Sequence, residues 1–458
     1  MRDLDQIIKA YDVRGTYPDQ IDADLAREVG AAFVEVIKAR KSEGGPGAVV
    51  IGHDMRPSGP ELVAAFAQGV MSQGCDVIHI GLCSTDGLYF ASGHLGLPGA
   101  MFTASHNPAQ YNGIKLCKEG AAPVGQETGL RQIKEMIACG WKSDYTGGVG
   151  SESKQDLVSK YADFLNNLVD LKGIRPLKVV IDTGNGMGGF TVPLVLKNLP
   201  LEITEMYFEL DGTFPNHEAN PIEPENLVDL QKKVKEVGAD IGLAFDGDAD
   251  RCFVVDERGV IVSPSTLTAL IADRELKKRP KSTIIHNLIT SRSVPELVTE
   301  LGGTPVRTRV GHSFIKATMA ETGAIFGGEH SGHFYFADFW KADSGMLAAM
   351  HALAALGETD QGQTLSSLLK KYQRYIESGE INSKVENPAE IVKTLKDKYS
   401  AESGITIDEL DGLTVAGDSW WFNVRASNTE PLLRLNAEAK TAQEVKQLTE
   451  SVLAVIRA

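Results

Sequence analysis

The sequence predicts an α/β protein: three α/β units of similar length and a smaller α+β unit at the C-terminal end. Three observations carry this. Short apolar β-rich runs alternate with helical patterns along most of the chain, which favours layers of helix on sheet. At 458 residues the chain is long enough for about three domains. The last segment changes character, with aromatic strand-like runs closed by an amphipathic helix.

The elements follow in order. Leu25, Val29, Phe33 and Val36 fall on one helical face. Ala48-Val49-Val50-Ile51-Gly52 then reads as a buried strand, as do Lys178-Val179-Val180-Ile181-Asp182, Ile241-Gly242-Leu243-Ala244-Phe245 and Thr283-Ile284-Ile285-His286. The segment 346–356 is an apolar helix, too short to span a bilayer and interrupted by His351. In the last segment Trp420-Trp421-Phe422-Asn423-Val424 and Leu432-Leu433-Arg434-Leu435 read as strands. The closing helix sets Val445, Leu448, Val452 and Val455 on one face. Small-residue punctuation at Gly147-Gly148-Val149-Gly150-Ser151, a turn at Asp256-Glu257-Arg258-Gly259 and a break near Gln361-Gly362-Gln363 place boundaries that give domains 1–150, 151–256, 257–365 and 366–458.

Composition narrows the function classes. Hydrophobic residues make up 42% and the formal charge is −15, which argues against a membrane protein and against nucleic acid as a partner. An anionic substrate is still compatible, because a local cluster of Arg and Lys can bind phosphate. Five scattered cysteines without metal-type spacing, and a start that lacks the form of a signal peptide, lead to an expectation of a cytoplasmic protein. Monomer and dimer are both open.

Two runs carry the chemistry. Phe102-Thr103-Ala104-Ser105-His106-Asn107-Pro108 sets a serine between small residues and a rigid turn, and Lys115 follows shortly after. Asp246-Gly247-Asp248-Ala249-Asp250-Arg251 comes directly after an apolar strand, where sites of α/β proteins collect. Its alternate aspartates can converge on one hard cation, and oxygen-only ligands favour Mg2+. Arg251 can meet a phosphate with paired hydrogen bonds. Together the runs read as a serine that gives and takes a phosphoryl group beside a metal, with His106 and Lys115 as a proton relay or phosphate contacts. A calcium EF-hand is the competing reading of the acidic run. Arg251 stands where that loop needs glycine, and the flanks look like strands. Gly184-Asn185-Gly186-Met187-Gly188-Gly189 matches a dinucleotide fingerprint, but a tight strand-to-helix turn is the better reading.

The serine run and the acidic run resemble the phosphoserine loop and the metal loop of the α-D-phosphohexomutases, and further motifs extend the resemblance over nearly the whole chain. It implies four domains with mixed sheets around a central cleft, and a Mg2+-dependent mutase acting on a sugar phosphate with a hexose 1,6-bisphosphate as activator. It implies Ser105 as the phosphorylated residue and a further metal ligand beside Asp246, Asp248 and Asp250, with Lys115 in the sugar-phosphate site. In Gly328-Glu329-His330-Ser331-Gly332-His333, Glu329 and Ser331 inherit recognition of sugar hydroxyls, and the Gly-His ending that carries His333 resembles the phosphomannomutase/phosphoglucomutase branch. Arg425, Ser427, Asn428 and Thr429 resemble a phosphate-binding loop. Tyr11 and Arg14 match an N-terminal motif, and His312 in Gly311-His312-Ser313 matches one that can supply a general acid or base. The resemblance thus implies a phosphomannomutase with phosphoglucomutase activity as a further expectation. Phosphoglucosamine mutase and a Mg2+-dependent phosphatase are the rivals. Two departures from the family stand out: Ile289 where relatives often carry lysine, and Gly81-Leu82-Cys83-Ser84-Thr85-Asp86 in place of a more proline-rich turn.

Overall fold

A computed structural model describes residues 2–426 and 432–458. The chain forms two compact units, residues 1–263 with 331–366, and residues 264–330 with 367–458.

The first unit contains two mixed sheets. One is built from β1 (Val13–Thr16), β2 (Ala48–His53), β3 (Asp76–Leu82), β4 (Gly99–Phe102), β5 (Tyr111–Lys118), the short β6 (Ala122–Pro123) and β7 (Glu152–Lys154). Its order is β1-β5-β4-β2-β3-β7, with β6 alongside β5. Strand β2 runs parallel to β3 and β4, while β5 runs antiparallel to β4 and β1. The apolar runs explain the burial: Val49, Val50 and Ile51 are all buried, as a strand covered on both faces requires. Helix Ala23–Ile37 packs Leu25, Val29 and Phe33 into the same core as Leu62 and Phe66 of helix Gly59–Ser72, so the predicted helical face is the buried one.

The second sheet has the order β12-β11-β10-β8-β9, from β8 (Leu177–Asp182), β9 (Leu201–Met206), β10 (Ile241–Phe245), β11 (Cys252–Asp256) and β12 (Ile261–Val262). Strand β10 is parallel to β8 and antiparallel to β11. The turn at 256–259 joins β11 to β12 as a hairpin.

The second unit holds a parallel trio, β13 (Thr283–Asn287), β14 (Thr304–Thr308) and β15 (Phe326–Gly328), with β13 in the middle. The first unit adds the antiparallel pair β16 (Phe334–Phe336) and β17 (Ala342–Asp343), followed by the apolar helix Gly345–Gly357. The C-terminal part of the second unit is an antiparallel sheet of β18 (Ile376–Glu377), β19 (Ile381–Lys384), β20 (Thr406–Asp408), β21 (Leu413–Ala416), β22 (Trp420–Ala426) and β23 (Leu432–Ala439). Helix Ala442–Ile456 buries Val445 and Val452, and Leu448 and Val455 pack on the core beside Val452. The α/β layers, the mixed sheets and the final α+β part are as the sequence predicts.

Candidate functional site

The two chemical loops of the first unit leave the C-terminal ends of neighbouring layers. Residues 103–110 follow β4, and residues 246–251 follow β10. Gly247 makes their contact possible. A Cβ there would lie 2.4 Å from the carbonyl oxygen of Ser105, inside any tolerable contact. Gly186 does the same one layer back, since its Cβ would lie 2.6 Å from Gly247 O, and the Met187 N–H donates to Gly247 O at 2.9 Å. The glycine-rich turn at 184–189 is thus used to support the acidic loop.

Ser105 is nearly buried and sits at φ +50°. Its N–H donates to Thr103 Oγ1 at 2.8 Å, and its Oγ donates to Asp246 Oδ2 at 2.8 Å. His106 Nδ1 lies 3.2 Å from the same Oγ. Burial, with the charges of Arg251 and Arg14, holds His106 well below the usual histidine range, so its ring is neutral at pH 7.

The aspartates share their surroundings with two cations. Lys115, in β5 opposite Met101, donates from Nζ to Asp248 Oδ2 at 2.8 Å and to Asp250 Oδ2 at 2.6 Å. Burial alone would lower its pKa, but the two carboxylates outweigh burial and keep the ammonium charged. Arg251 donates from Nε to Asp246 Oδ2 at 2.8 Å and from its main-chain N–H to Asp246 Oδ1 at 3.1 Å. Burial pushes Asp246 up to about 7, helped by Asp250 and Asp248 and opposed by Arg251. Burial also works against the charge on Asp248, but Lys115 holds its pKa low.

These residues fit a divalent cation. Asp246, Asp248 and Asp250 are buried, and each offers a carboxylate oxygen within 4.8 Å of the others. Asp248 Oδ1 and Asp250 Oδ1 have no hydrogen-bond partner among the described residues. Three hard oxygen donors converging with spare lone pairs suit a hard cation. Arg251 Nη2 is likewise buried without a partner, a donor directed toward no protein acceptor.

Three further candidates of the first unit, His333, Ser331 and Arg14, gather at the same place. His333 pairs with Arg251 in an isolated antiparallel bridge, and its Nε2 lies 3.6 Å from Asp250 Oδ1. Ser331 Oγ shares a hydrogen bond of 2.9 Å with His333 Nδ1. Arg14 reaches the serine loop through Asn107 Oδ1 at 2.7 Å and is paired with Asp12. Tyr11, next to Asp12, is half-buried. Glu329 and Arg425 belong to the second unit. Glu329 accepts from Gly311 N at 3.1 Å and Asn287 Nδ2 at 3.4 Å, and Arg425 lies 3.5 Å from Glu380. Ser427, Asn428 and Thr429 lie outside the described residues, as does the side chain of His312.

The sequence reading gives two residues of this site no role. Arg56 is fully buried, is paired with Asp54, and donates to the carbonyls of Ser105, Asn107, Pro108 and Tyr111 at 2.6–3.0 Å. It clamps the serine loop. Thr85 donates from Oγ1 to Asp248 Oδ2 at 2.6 Å and from N–H to Asp248 O at 3.0 Å. The signal for Arg56 was available: Asp54-Met55-Arg56 follows an apolar strand, as the acidic loop does.

A hydroxyl held between a carboxylate and a neutral imidazole, with buried cations and a fitted cation site around it, is an arrangement suited to phosphoryl transfer. Models of the phosphoglucomutase/phosphomannomutase family match along the chain: alpha/beta/alpha domain I at residues 5–140, domain II at 159–259, domain III at 263–375 and the C-terminal domain at 380–455. The chain belongs to this family of isomerases. It is 40% identical to phosphohexose mutases of Xanthomonas campestris over 94% of each chain, and 38% identical to phosphomannomutase of Escherichia coli K12 over 94% of each. The crystal structure of a phosphoglucomutase/phosphomannomutase family protein from Burkholderia thailandensis superposes with a TM-score of 0.88 at 33% identity, covering 100% of this chain and 98% of the other. Among the described residues no helix is long and apolar enough to cross a membrane.

Proposed function

We propose that this hexose-phosphate mutase interconverts mannose 1-phosphate and mannose 6-phosphate, and accepts the glucose phosphates as well, through phospho-Ser105 and a hexose 1,6-bisphosphate. The observation that carries the reading is Ser105 Oγ at 2.8 Å from Asp246 within the acidic trio. The relatives named for phosphohexose and phosphomannose chemistry support the choice of sugars.

In the first half-reaction the bond from Ser105 Oγ to phosphorus breaks as a bond forms from O1 or O6 of the bound sugar. The sugar hydroxyl proton ends on Ser105 Oγ, and neutral His106 beside that oxygen can relay it. The bisphosphate turns end for end. Ser105 Oγ then takes the other phosphoryl group and gives its proton back to the sugar oxygen.

Mg2+ held by Asp246, Asp248 and Asp250 would neutralise phosphoryl charge as a Lewis acid. Arg251 presents its partnerless Nη2 to the same charge, and Lys115 stays cationic beside two of the aspartates. Such transfers depend chiefly on positioning and electrostatics. Glu329, Ser331 and His333 are assigned to sugar hydroxyls, Tyr11 and Arg14 to the rim of the serine loop, and Arg425 to Thr429 to the phosphate that is not reacting. His312 is assigned to proton transfer.

A coupled assay with mannose 1-phosphate and with glucose 1-phosphate tests this, with and without hexose 1,6-bisphosphate, while free phosphate is read in parallel. Activator-stimulated formation of the 6-phosphates with little free phosphate is expected. Free phosphate without isomerisation would make the site a phosphatase and overturn the proposal.

A further inference from the structure

Asp86 is completely buried and has no cationic partner among the hydrogen bonds and ion pairs of the described residues. A lone buried carboxylate is costly, and burial pushes this one up to about 6. Three hydroxyls satisfy it. Ser84 Oγ donates to Oδ1, while Tyr161 Oη and Ser344 Oγ donate to Oδ2 at 2.8 and 2.6 Å.

Two of these donors are helix caps. Ser84 Oγ accepts from Gly87 N at 3.2 Å and caps helix Thr85–Leu95, and Ser344 Oγ accepts from Leu347 N at 3.1 Å and caps helix Gly345–Gly357. Such caps fix where a helix starts. Both capped helix starts press on the acidic loop. Thr85, the first residue of one helix, holds the carboxylate and carbonyl of Asp248. Gly345, the first residue of the other, lies so close to the loop that a Cβ would be 2.7 Å from Arg251 C and 2.9 Å from Ala249 O. Asp86 therefore ties together two helix starts that contact the acidic loop from different parts of the chain.

We infer that Asp86 is a positioning residue for the cation site, setting the separation of Asp248 and Asp250 through the helices that start at Thr85 and Gly345. This rests on the reading of residues 246–250 as that site. It also gives a use to one of the two departures noted in the sequence, since Asp86 lies in the turn that is more proline-rich in relatives. Asparagine cannot replace it, because one carboxylate oxygen would become an NH2 group facing hydroxyls that are arranged to donate.

Mn2+ binding to the full-length protein, followed by the loss of the free-ion EPR signal, tests the inference without using turnover. Asp86→Asn should bind Mn2+ about tenfold more weakly than wild type, as loss of an outer-shell partner does. Ser92→Ala is the structural control. It removes contacts at the far end of the same helix, to Leu97 O and Lys118 O, and should lower the urea midpoint while leaving Mn2+ affinity unchanged. Should Asp86→Asn fail to fold, Tyr161→Phe and Ser344→Ala each remove one donor and should weaken Mn2+ binding several-fold. Wild-type affinity in the folded variants would overturn the inference alone. Absence of Mn2+ binding by the wild-type protein would overturn it together with the cation-site reading.

Discussion

Arg56→Lys separates the clamp from the charge. Arg56 makes five side-chain hydrogen bonds, one to Asp54 and four to carbonyls of the serine loop and its exit strand, from three different nitrogens. Lysine offers three donors from one point, so at least two of the five contacts must go. At roughly 1.5–3 kcal/mol for a hydrogen bond to a charged group, the loss is about 3–6 kcal/mol. Part of it appears as stability, because Asp54 stays buried with a poorer partner. The rest appears as freedom of Ser105, whose φ of +50° needs the surrounding contacts to hold it. A displacement of about 1 Å at a reacting oxygen costs about 100-fold in rate. The expected outcome is a kcat/KM lower by about two orders of magnitude in the coupled mutase assay, at a temperature where circular dichroism shows the variant folded. A folded Arg56→Lys enzyme with wild-type kcat would refute the clamp.

Gly247→Ala should be as severe in activity and milder in stability. The new Cβ starts 2.4 Å from a main-chain oxygen that cannot swing aside, so the serine and acidic loops must part by roughly 1 Å. Steady-state rates beside a urea titration check this. Glu438 gives a pH signature in the second unit. It is buried, accepts from Trp421 Nε1 at 2.8 Å and Arg292 N at 3.1 Å, and burial pushes it up to about 7. Its folded pKa lies above the unfolded one, so its stabilising contribution is full below the unfolded pKa and is lost as pH rises through about 7. Glu438→Gln should flatten about 2–3 kcal/mol of stability loss between pH 5 and 8, read by urea unfolding at each pH. An unchanged slope would contradict the assignment.

Strands and helix faces were legible where one pattern decides burial: Val49 to Ile51, Ile241 to Phe245, and the face of Val445 and Val452. The serine and the aspartates were legible because small or acidic residues follow an apolar strand with no structural reason to be there. Lys115 was visible as a nearby cation, but its place in β5 was not, since Tyr111-Asn112-Gly113 reads as a continuation of the loop. Arg56, Thr85 and Asp86 are ordinary polar residues in sequence. Their partners lie up to 258 positions away, as in the bond from Ser344 to Asp86, so only tertiary packing gives them work. Ile289 shows the converse. Where relatives often carry lysine, this side chain is buried in an apolar cluster with Leu288 and Trp421.

The central claim is that Ser105 carries the phosphoryl group. The most direct measurement is peptide mass spectrometry of the protein after incubation with glucose 1,6-bisphosphate, and again after a chase with mannose 1-phosphate. The account predicts one phosphoryl group on the peptide containing Ser105, which the chase moves onto the sugar as a bisphosphate. A phosphoryl group on another residue, or its release as inorganic phosphate in the chase, would contradict it.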